Sequence, residues 1–415
     1  MTGLSSCQTM KPRLLVLTST FPRWKDDTDP PFVYELSRRL TSDFEVIVHT
    51  PHYHGSLPRE TMDGMKIHRF RYFLSRYERL AGGQGIVPKL RRKKLYYLLL
   101  PLFLTAQLLS LLLLVHAKKP DVVHAHWLIP QGFLAVLMKW TFGVPVIVTA
   151  HGADVFSLRG RIFIWLKKII VNNADRIVTV SNSLAKTLFE DTRSSIHPAV
   201  IPMGVDASMF SPDYKSKAIR QKYGINGPFL LFVGRLTEKK GVEYLIKAMT
   251  LVKVEIPEAK LLIVGHGELE QQLRNQVGNL GLQEVVLFAG GLANRDLPEF
   301  YASADIFIGP SIQTADGDSE GFGLTFVEAA MSECLLIGTR TGGIEDIIQD
   351  GATGFLIKSR DATLLAEVIL YAVRNINDLE IIKQNGKNRA IRKYDWKEVS
   401  DQYRSLITNL IPQTV

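Results

Sequence analysis

The sequence predicts two α/β domains, each a doubly wound parallel sheet, facing each other across a cleft. Three observations carry this expectation. The chain is 415 residues long, more than one hydrophobic core usually serves. Short, continuously apolar runs alternate with helix-length segments throughout, as expected of parallel strands covered on both faces. The rhythm breaks once, at "IPMGVDASMFSPD", where Gly204, Pro212 and small residues read as a linker over 204–212.

In the first half the strand-like runs fall at 13–19, 44–50, 121–126, 145–152, 175–181 and 199–204. In the second they fall at 229–235, 260–267, 285–291, 304–311 and 334–339. This places one domain at 1–204 and a second at 205–393. In the closing segment, Trp396, Val399, Tyr403, Leu406 and Ile407 share one helical face, so 394–415 is expected to pack back on the first domain.

Composition narrows the class. Hydrophobic residues make up 46% and charged residues 22%, normal for a globular chain. Two cysteines, Cys7 and Cys334, give neither a disulfide framework nor a metal cluster and suit a reducing compartment. The N-terminus carries no apolar run with a small-residue cleavage site, so no signal peptide is expected. The net charge of +9 is uneven: residues 59–94 hold eleven Lys/Arg against three acids. Such a block suits an anionic surface, nucleic acid or acidic lipid. The next segment, 95–117, has no charged residue. It is long enough to cross a bilayer, but Gln107, Ser110 and Pro101 within it favour a buried or membrane-skimming helix over a span. Lipid is therefore the favoured partner. No recognition-helix or RNA-module signature is present, and no nucleic acid is expected.

Ligands of open parallel sheets bind beyond the carboxyl ends of the strands, where the unusual residues of this chain fall. In "GRLTEKKG", Arg235 and Lys240 flank a glycine-bounded turn before a helix, a diphosphate site or a solvated basic turn. In "DSEGFGLTFVEAA", Gly321 and Gly323 permit close approach of a ligand, and a helix starting near Leu324 offers free amides at Leu324 and Thr325. Glu328 would lie about one turn inside that helix, leaning back toward its start, where a carboxylate accepts from vicinal hydroxyls such as a ribose. Glu320, on the loop, would face another group of the same ligand. His151 ends a first-domain strand in "HGAD"; Asp154 is a weaker candidate or a helix cap. Asp316 and Asp318 form an Asp-x-Asp pair, expected to serve as polar-loop or acceptor contacts, with no metal. "VGHGELE" lacks the third glycine of a dinucleotide fingerprint, Glu270 standing in its place.

These motifs, with "IPMGVD" at the linker, resemble family 4 of the retaining glycosyltransferases of GT-B fold, of bacterial envelope-polysaccharide type, over essentially the whole chain. The resemblance implies two Rossmann-like domains, with Arg235 and Lys240 on the donor diphosphate and Glu328 on its ribose. Glu320 and His151 would serve as the catalytic residues beside the donor sugar, with Gly321, Phe322 and Gly323 lining it. Backbone near Ala289–Leu292 would hold the base. It implies no cofactor and a nucleotide-diphosphate sugar as substrate; with that activity, the basic block and the apolar segment suggest an acceptor on a lipid-linked sugar at the inner face of the plasma membrane. One departure is the loop after the first strand, 20–31, which carries prolines in place of the family's paired glycines. A nucleotide-sugar epimerase of the same fold, or a non-enzymatic binder of nucleic acid or membrane, is the alternative.

Overall fold

The computed structural model describes residues 11–24, 27, 32–81, 86, 89–90 and 94–411. Cys7, Arg91, Arg92, Lys93, most of 25–31 and the last four residues lie outside them.

The first sheet has eight strands: β1 (Arg13–Leu17), β2 (Glu45–Pro51), β3 (Arg59–Met62), β4 (Met65–Phe70), β5 (Val122–His126), β6 (Val146–Ala150), β7 (Arg176–Thr179) and β8 (Ala199–Val200). Their order is β3-β4-β2-β1-β5-β6-β7-β8. Among the described residues, only β3 and β4 pair antiparallel. The second sheet is β9 (Phe229–Val233), β10 (Lys260–Val264), β11 (Val286–Gly290), β12 (Ile306–Gly309), β13 (Leu335–Thr339) and β14 (Phe355–Ile357). It is parallel throughout, in the order β11-β10-β9-β12-β13-β14. Both sheets reverse strand order beside the first strand of the domain, β1 or β9, which opens a crevice at the carboxyl edge of each.

Every expected strand is present, most of them trimmed and β2 shifted by one residue to Glu45–Pro51, and three more appear. β3 and β4 form a hairpin closed by Asp63 and Gly64, both at positive φ, the Asp-Gly turn that matches strand twist. It lies inside the basic segment and changes how that segment reads. Arg69 is buried and paired with Glu60, Lys66 bonds Glu45, and Arg71 faces Glu78. Part of the charge block is therefore neutralised within the fold.

The apolar segment forms the helix Leu99–Lys118. Pro101 is tolerated because first-turn N–H groups lack helical partners. Phe103, Gln107, Leu111 and Leu114 are buried, whereas Leu109 is 55% and Leu113 72% exposed. The stretch Lys94–Lys118 is long and apolar enough to cross a membrane, yet one side of it packs on this domain.

The chain crosses between the sheets twice, and the crossings bond each other: Val205 N–H donates to Tyr394 O at 2.8 Å and Trp396 N–H to Val205 O at 3.1 Å. The helix Trp396–Thr408 then buries Trp396, Val399, Tyr403 and Ile407 in the core beneath the first sheet, with Leu406 at its edge. A cavity of about 420 Å³ beside this crossing is lined by Arg39, Asp206, Trp396 and Arg404, away from the strand ends.

Candidate active site

The loop 310–323 runs from the end of β12 to the helix Leu324–Met331, and its last part, 318–323, carries Gly321 and Gly323. Gly323 turns it with φ 99°, and no side chain among the described residues caps the helix, whose first amides belong to Leu324 and Thr325. Opposite, β9 leads through the exposed Arg235 to a short 3₁₀ turn, Glu238–Lys240, closed by Gly241 at φ 62°. That turn aims Lys240 across the gap, and its Nζ lies 2.5 Å from Glu320 Oε2. Lys239 pairs with Asp318 at 3.3 Å. Burial on its own would raise the Glu320 carboxyl, but the Lys240 and Lys239 charges outweigh it and hold the group below its ordinary range.

Glu328 lies one turn into the helix and is 5% exposed. Burial pushes its carboxyl up to about 7, although the Tyr301 hydroxyl donates to Oε2 at 2.7 Å. One carboxylate oxygen is thus held by the protein, and the other has the acceptor character a diol requires. Tyr301 was not legible in the sequence as a site residue, because "EFYASADIF" reads as an ordinary helix-to-strand passage.

The raised group has a sign that can be tested. The unfolded carboxyl titrates near 4.5 and the folded one near 7, so the folded state binds the extra proton between those values. The protonated form's stabilisation is complete below pH 4.5 and is lost as pH rises through 7, up to about 3 kcal/mol at ~1.4 kcal/mol per pH unit. Glu328→Gln is expected to unfold at a higher temperature than wild type at pH 8 and at nearly the same temperature at pH 4.5, measured by calorimetry.

In the first domain, His151 follows β6, and its Nε2 lies 3.0 Å from Nδ1 of His126, the last residue of β5. Phe32 and Trp127 rings flank it at 4.8 and 5.0 Å. Burial, with a contribution from His124, pushes the His151 ring down to about 3, so it is neutral near pH 7 and carries one N–H. The contact with His126 constrains which nitrogen holds it. Among the described residues, His151 Nδ1 and His126 Nε2 have no protein partner. Spacing alone did not mark His126.

Asp154 sits inside the short helix Ala153–Phe156 and does not cap it. Its carboxylate accepts from Leu128 N (2.8 Å), Gly152 N (2.9 Å) and His151 N (3.1 Å). It therefore braces the histidine loop against the end of β5. Phe322 also differs from expectation: its ring is buried against Tyr394, 5.6 Å between centroids, so only its backbone can line a ligand. Asp316 and Asp318 diverge, the first bonded by Thr314 Oγ1 and the second paired with Lys239. Near the expected base site, the Gly291 amide is already engaged by His266 Nε2 at 2.9 Å. No group of three metal-ligating side chains occurs among the described residues.

The two loops meet. A Cβ on Gly321 would lie 2.5 Å from His151 O and 3.2 Å from Gly152 Cα. Ser181 Oγ donates to Gly321 O at 2.7 Å, and Asn182 holds the Asp346 carboxylate through both its backbone and side-chain N–H. The glycine loop carrying Glu320 is thereby seated against the loop carrying His151, with Lys240 and the helix start beside it.

Comparison with known proteins supplies the class. Residues 31–209 match the model described as "Glycosyltransferase Family 4", and residues 215–389 match "Glycosyl transferases group 1". The protein is a two-domain glycosyltransferase of GT-B fold. Among curated relatives, this glycosyltransferase is 26% identical over 271 residues, 65% of it and 71% of the relative, to a GDP-mannose-dependent alpha-(1-6)-phosphatidylinositol monomannoside mannosyltransferase of Mycolicibacterium smegmatis. It is also 26% identical to an N-acetyl-alpha-D-glucosaminyl L-malate synthase of Bacillus anthracis, over 70% of the chain and 75% of the relative. Its fold superposes on sucrose-phosphate synthase from Thermosynechococcus elongatus with a TM-score of 0.78 at 20% identity, covering 96% and 99% of the two chains. HepE of Anabaena, solved in complex with UDP-glucose, gives a TM-score of 0.71 at 18% identity, covering 96% and 99%.

Proposed function

We propose that this glycosyltransferase moves a sugar from a nucleotide-diphosphate sugar to an acceptor hydroxyl with retention at the anomeric carbon, as a bacterial member of family 4. The observation that carries the reading is the uncapped helix start at Leu324 and Thr325, set between the Lys240 ammonium and the buried Glu328 carboxyl. Helix amides, Lys240 and Arg235 receive the diphosphate, whose charge grows as it departs; preorganised donors of this kind stabilise the transition state most where charge develops. The second Glu328 oxygen accepts from the ribose. Glu320 and His151 contact the donor sugar from opposite domains. His151, neutral, donates one hydrogen bond or accepts one, and does not act as a cation. The acceptor oxygen attacks on the face the diphosphate leaves, and a phosphate oxygen takes its proton, so no enzyme carboxylate need form a covalent bond. Residues 205–393 bind the donor and 1–204 the acceptor, with the helix Trp396–Thr408 returning to the first domain.

The test is calorimetric binding of UDP, GDP, ADP and their sugar conjugates to wild type and Glu328→Ala. Selective binding of one nucleotide, weakened about tenfold or more by the loss of this hydrogen-bonded contact, supports the reading. A folded protein that binds none of them overturns it.

The acceptor we propose is a lipid-linked sugar of cell-envelope polysaccharide, met at the cytoplasmic face of the plasma membrane. The names of relatives acting on phosphatidylinositol mannosides support a lipid acceptor. The exposed face of Leu99–Lys118 supports membrane contact: Leu109 and Leu113 project there, and Trp140 and Trp165, on the helices Phe133–Phe142 and Arg161–Asn173, are more than half exposed. Apolar residues edged by Trp and basic side chains suit a peripheral site on anionic lipid. Leu109→Glu/Leu113→Glu is expected to reduce flotation with anionic vesicles at least tenfold while leaving nucleotide affinity unchanged. Equal flotation by both proteins would remove this helix from the membrane contact.

A further inference from the structure

The loops that follow β1, β2 and β4 are tied to one another by buried polar groups. Arg69, only 6% exposed, donates to Pro22 O at 2.9 Å and Leu57 O at 2.8 Å, joining the first two loops. Glu78 is fully buried; it bonds His52 and accepts from the backbone N–H of Tyr72 (2.8 Å) and Phe73 (3.2 Å), joining the second loop to the third. Burying charge is costly unless it is fully bonded. A fold that commits an arginine and a glutamate to bracing three surface loops gains rigidity in whatever those loops display.

What they display is aromatic. Trp24 is 43%, Phe73 44% and Tyr77 48% exposed. Trp24 and Tyr53 meet edge to face at 6.5 Å, and the Arg23 guanidinium, held by Asp27, lies 4.7 Å from one ring and 4.8 Å from the other. Phe73 and Tyr77 form a second pair at 6.0 Å, and Ser75 Oγ lies 3.5 Å from His54 Nδ1, linking the two pairs. Rings held rigid but left half in water are a surface meant to be covered. These rings lie at the carboxyl edge of the sheet, the edge that ends in His151. In the strand order, β1 stands two places from β6 and β4 stands four, so they lie roughly 10–19 Å along that edge from the histidine loop at ~4.8 Å per strand.

We infer that this aromatic platform is an acceptor subsite that stacks a sugar ring one or more units away from the reacting hydroxyl. The C–H groups on one face of a pyranose carry partial positive charge and lie against the electron-rich face of an aromatic ring, and flanking Arg and His supply donors for its hydroxyls. The inference rests on the glycosyltransferase reading above and narrows it: the acceptor is an oligosaccharide of at least two sugars, its growing end at His151 and an inner ring on Trp24 or Tyr77.

The experiment measures capture on an array of immobilised oligosaccharides of two to four sugars, for wild type, Trp24→Ala, Tyr77→Ala and Trp24→Phe, beside nucleotide binding by calorimetry. Expected is retention of at least one glycan by wild type, a tenfold or greater loss in both alanine variants, and recovery with phenylalanine, all with unchanged nucleotide affinity. Glycan capture indifferent to both rings, or absent from wild type, overturns the subsite. So does a ring-dependent loss of binding to anionic vesicles with no glycan effect, which would assign the rings to the membrane. Failure of nucleotide binding in wild type would instead sink the donor reading, so the two failures are distinguishable.

Discussion

Lys240→Ala is expected to lower kcat/KM for sugar transfer by about 10²–10³-fold, the scale of removing one preorganised donor from a developing anion. Gly241, at φ 62°, ends the turn that carries Lys240. The ammonium is therefore placed by the backbone before the donor arrives, and little reorganisation is needed during reaction. The substitution has a second consequence. Lys240 and Lys239 together hold the Glu320 carboxyl below its ordinary range against burial, which pushes it upward. Without Lys240 that balance tips, and the Glu320 pKa rises. The acid limb of the pH–rate profile is expected to move to higher pH in the variant, while Lys240→Arg keeps the charge and shows no such move. A Lys240→Ala enzyme with wild-type kcat/KM and an unmoved profile would show that neither the diphosphate nor Glu320 depends on this residue.

Gly321→Ala is expected to cost about 10²-fold in kcat with nucleotide affinity changed less than threefold, since misplacement of about 1 Å has that scale of effect on positioned reactants. The added Cβ would sit 2.5 Å from His151 O and 3.2 Å from Gly152 Cα, both backbone atoms that cannot rotate aside. The domains would have to part where Glu320 and His151 are brought together, and the Ser181 to Gly321 hydrogen bond would lengthen with them. Steady-state kinetics beside calorimetry separates this from loss of donor binding. If kcat is unchanged, the contact between the glycine loop and the histidine loop does not belong to the reactive arrangement.

The central parallel strands were legible because both their faces are buried. A run such as "FLLFV" or "PVIV" is apolar at every position, and few other structures demand that. β3 and β4 were less visible, although Asp63-Gly64 is a strong turn signal; the eleven cations of that segment dominated its reading as a surface. Three-dimensional pairing of Arg69 with Glu60 and Lys66 with Glu45 corrects it. β14 is only three residues long, too short for alternation or an apolar run to register.

The candidate site divides along the same line. Lys240, Glu320, Gly321, Gly323 and Glu328 lie in two short stretches whose spacing relative to a strand end and a helix start already constrains where each can point. Tyr301 and His126 could not be found in that way. Each becomes relevant through a contact with a residue 25 or more positions away, at 2.7 Å to Glu328 and 3.0 Å to His151, and neither neighbourhood has a distinctive pattern. Phe322 shows the converse: its position in the motif suggested a ligand contact, but a large ring between two glycines found more burial against Tyr394 than in the cleft.

By itself, then, the sequence determined the local elements, the two sheets and the strand ends at which chemistry could gather, because hydrophobic period, glycine placement and helix starts act over a few residues. Only the tertiary structure decided which charges neutralise one another, which carboxyl is raised and which lowered, and which loops of the two domains touch. Those outcomes depend on burial and on distances between residues remote in the chain. A glutamate close to a helix start reads the same in sequence whether it meets a lysine, as Glu320 does, or a tyrosine in a dry interior, as Glu328 does four residues into the helix.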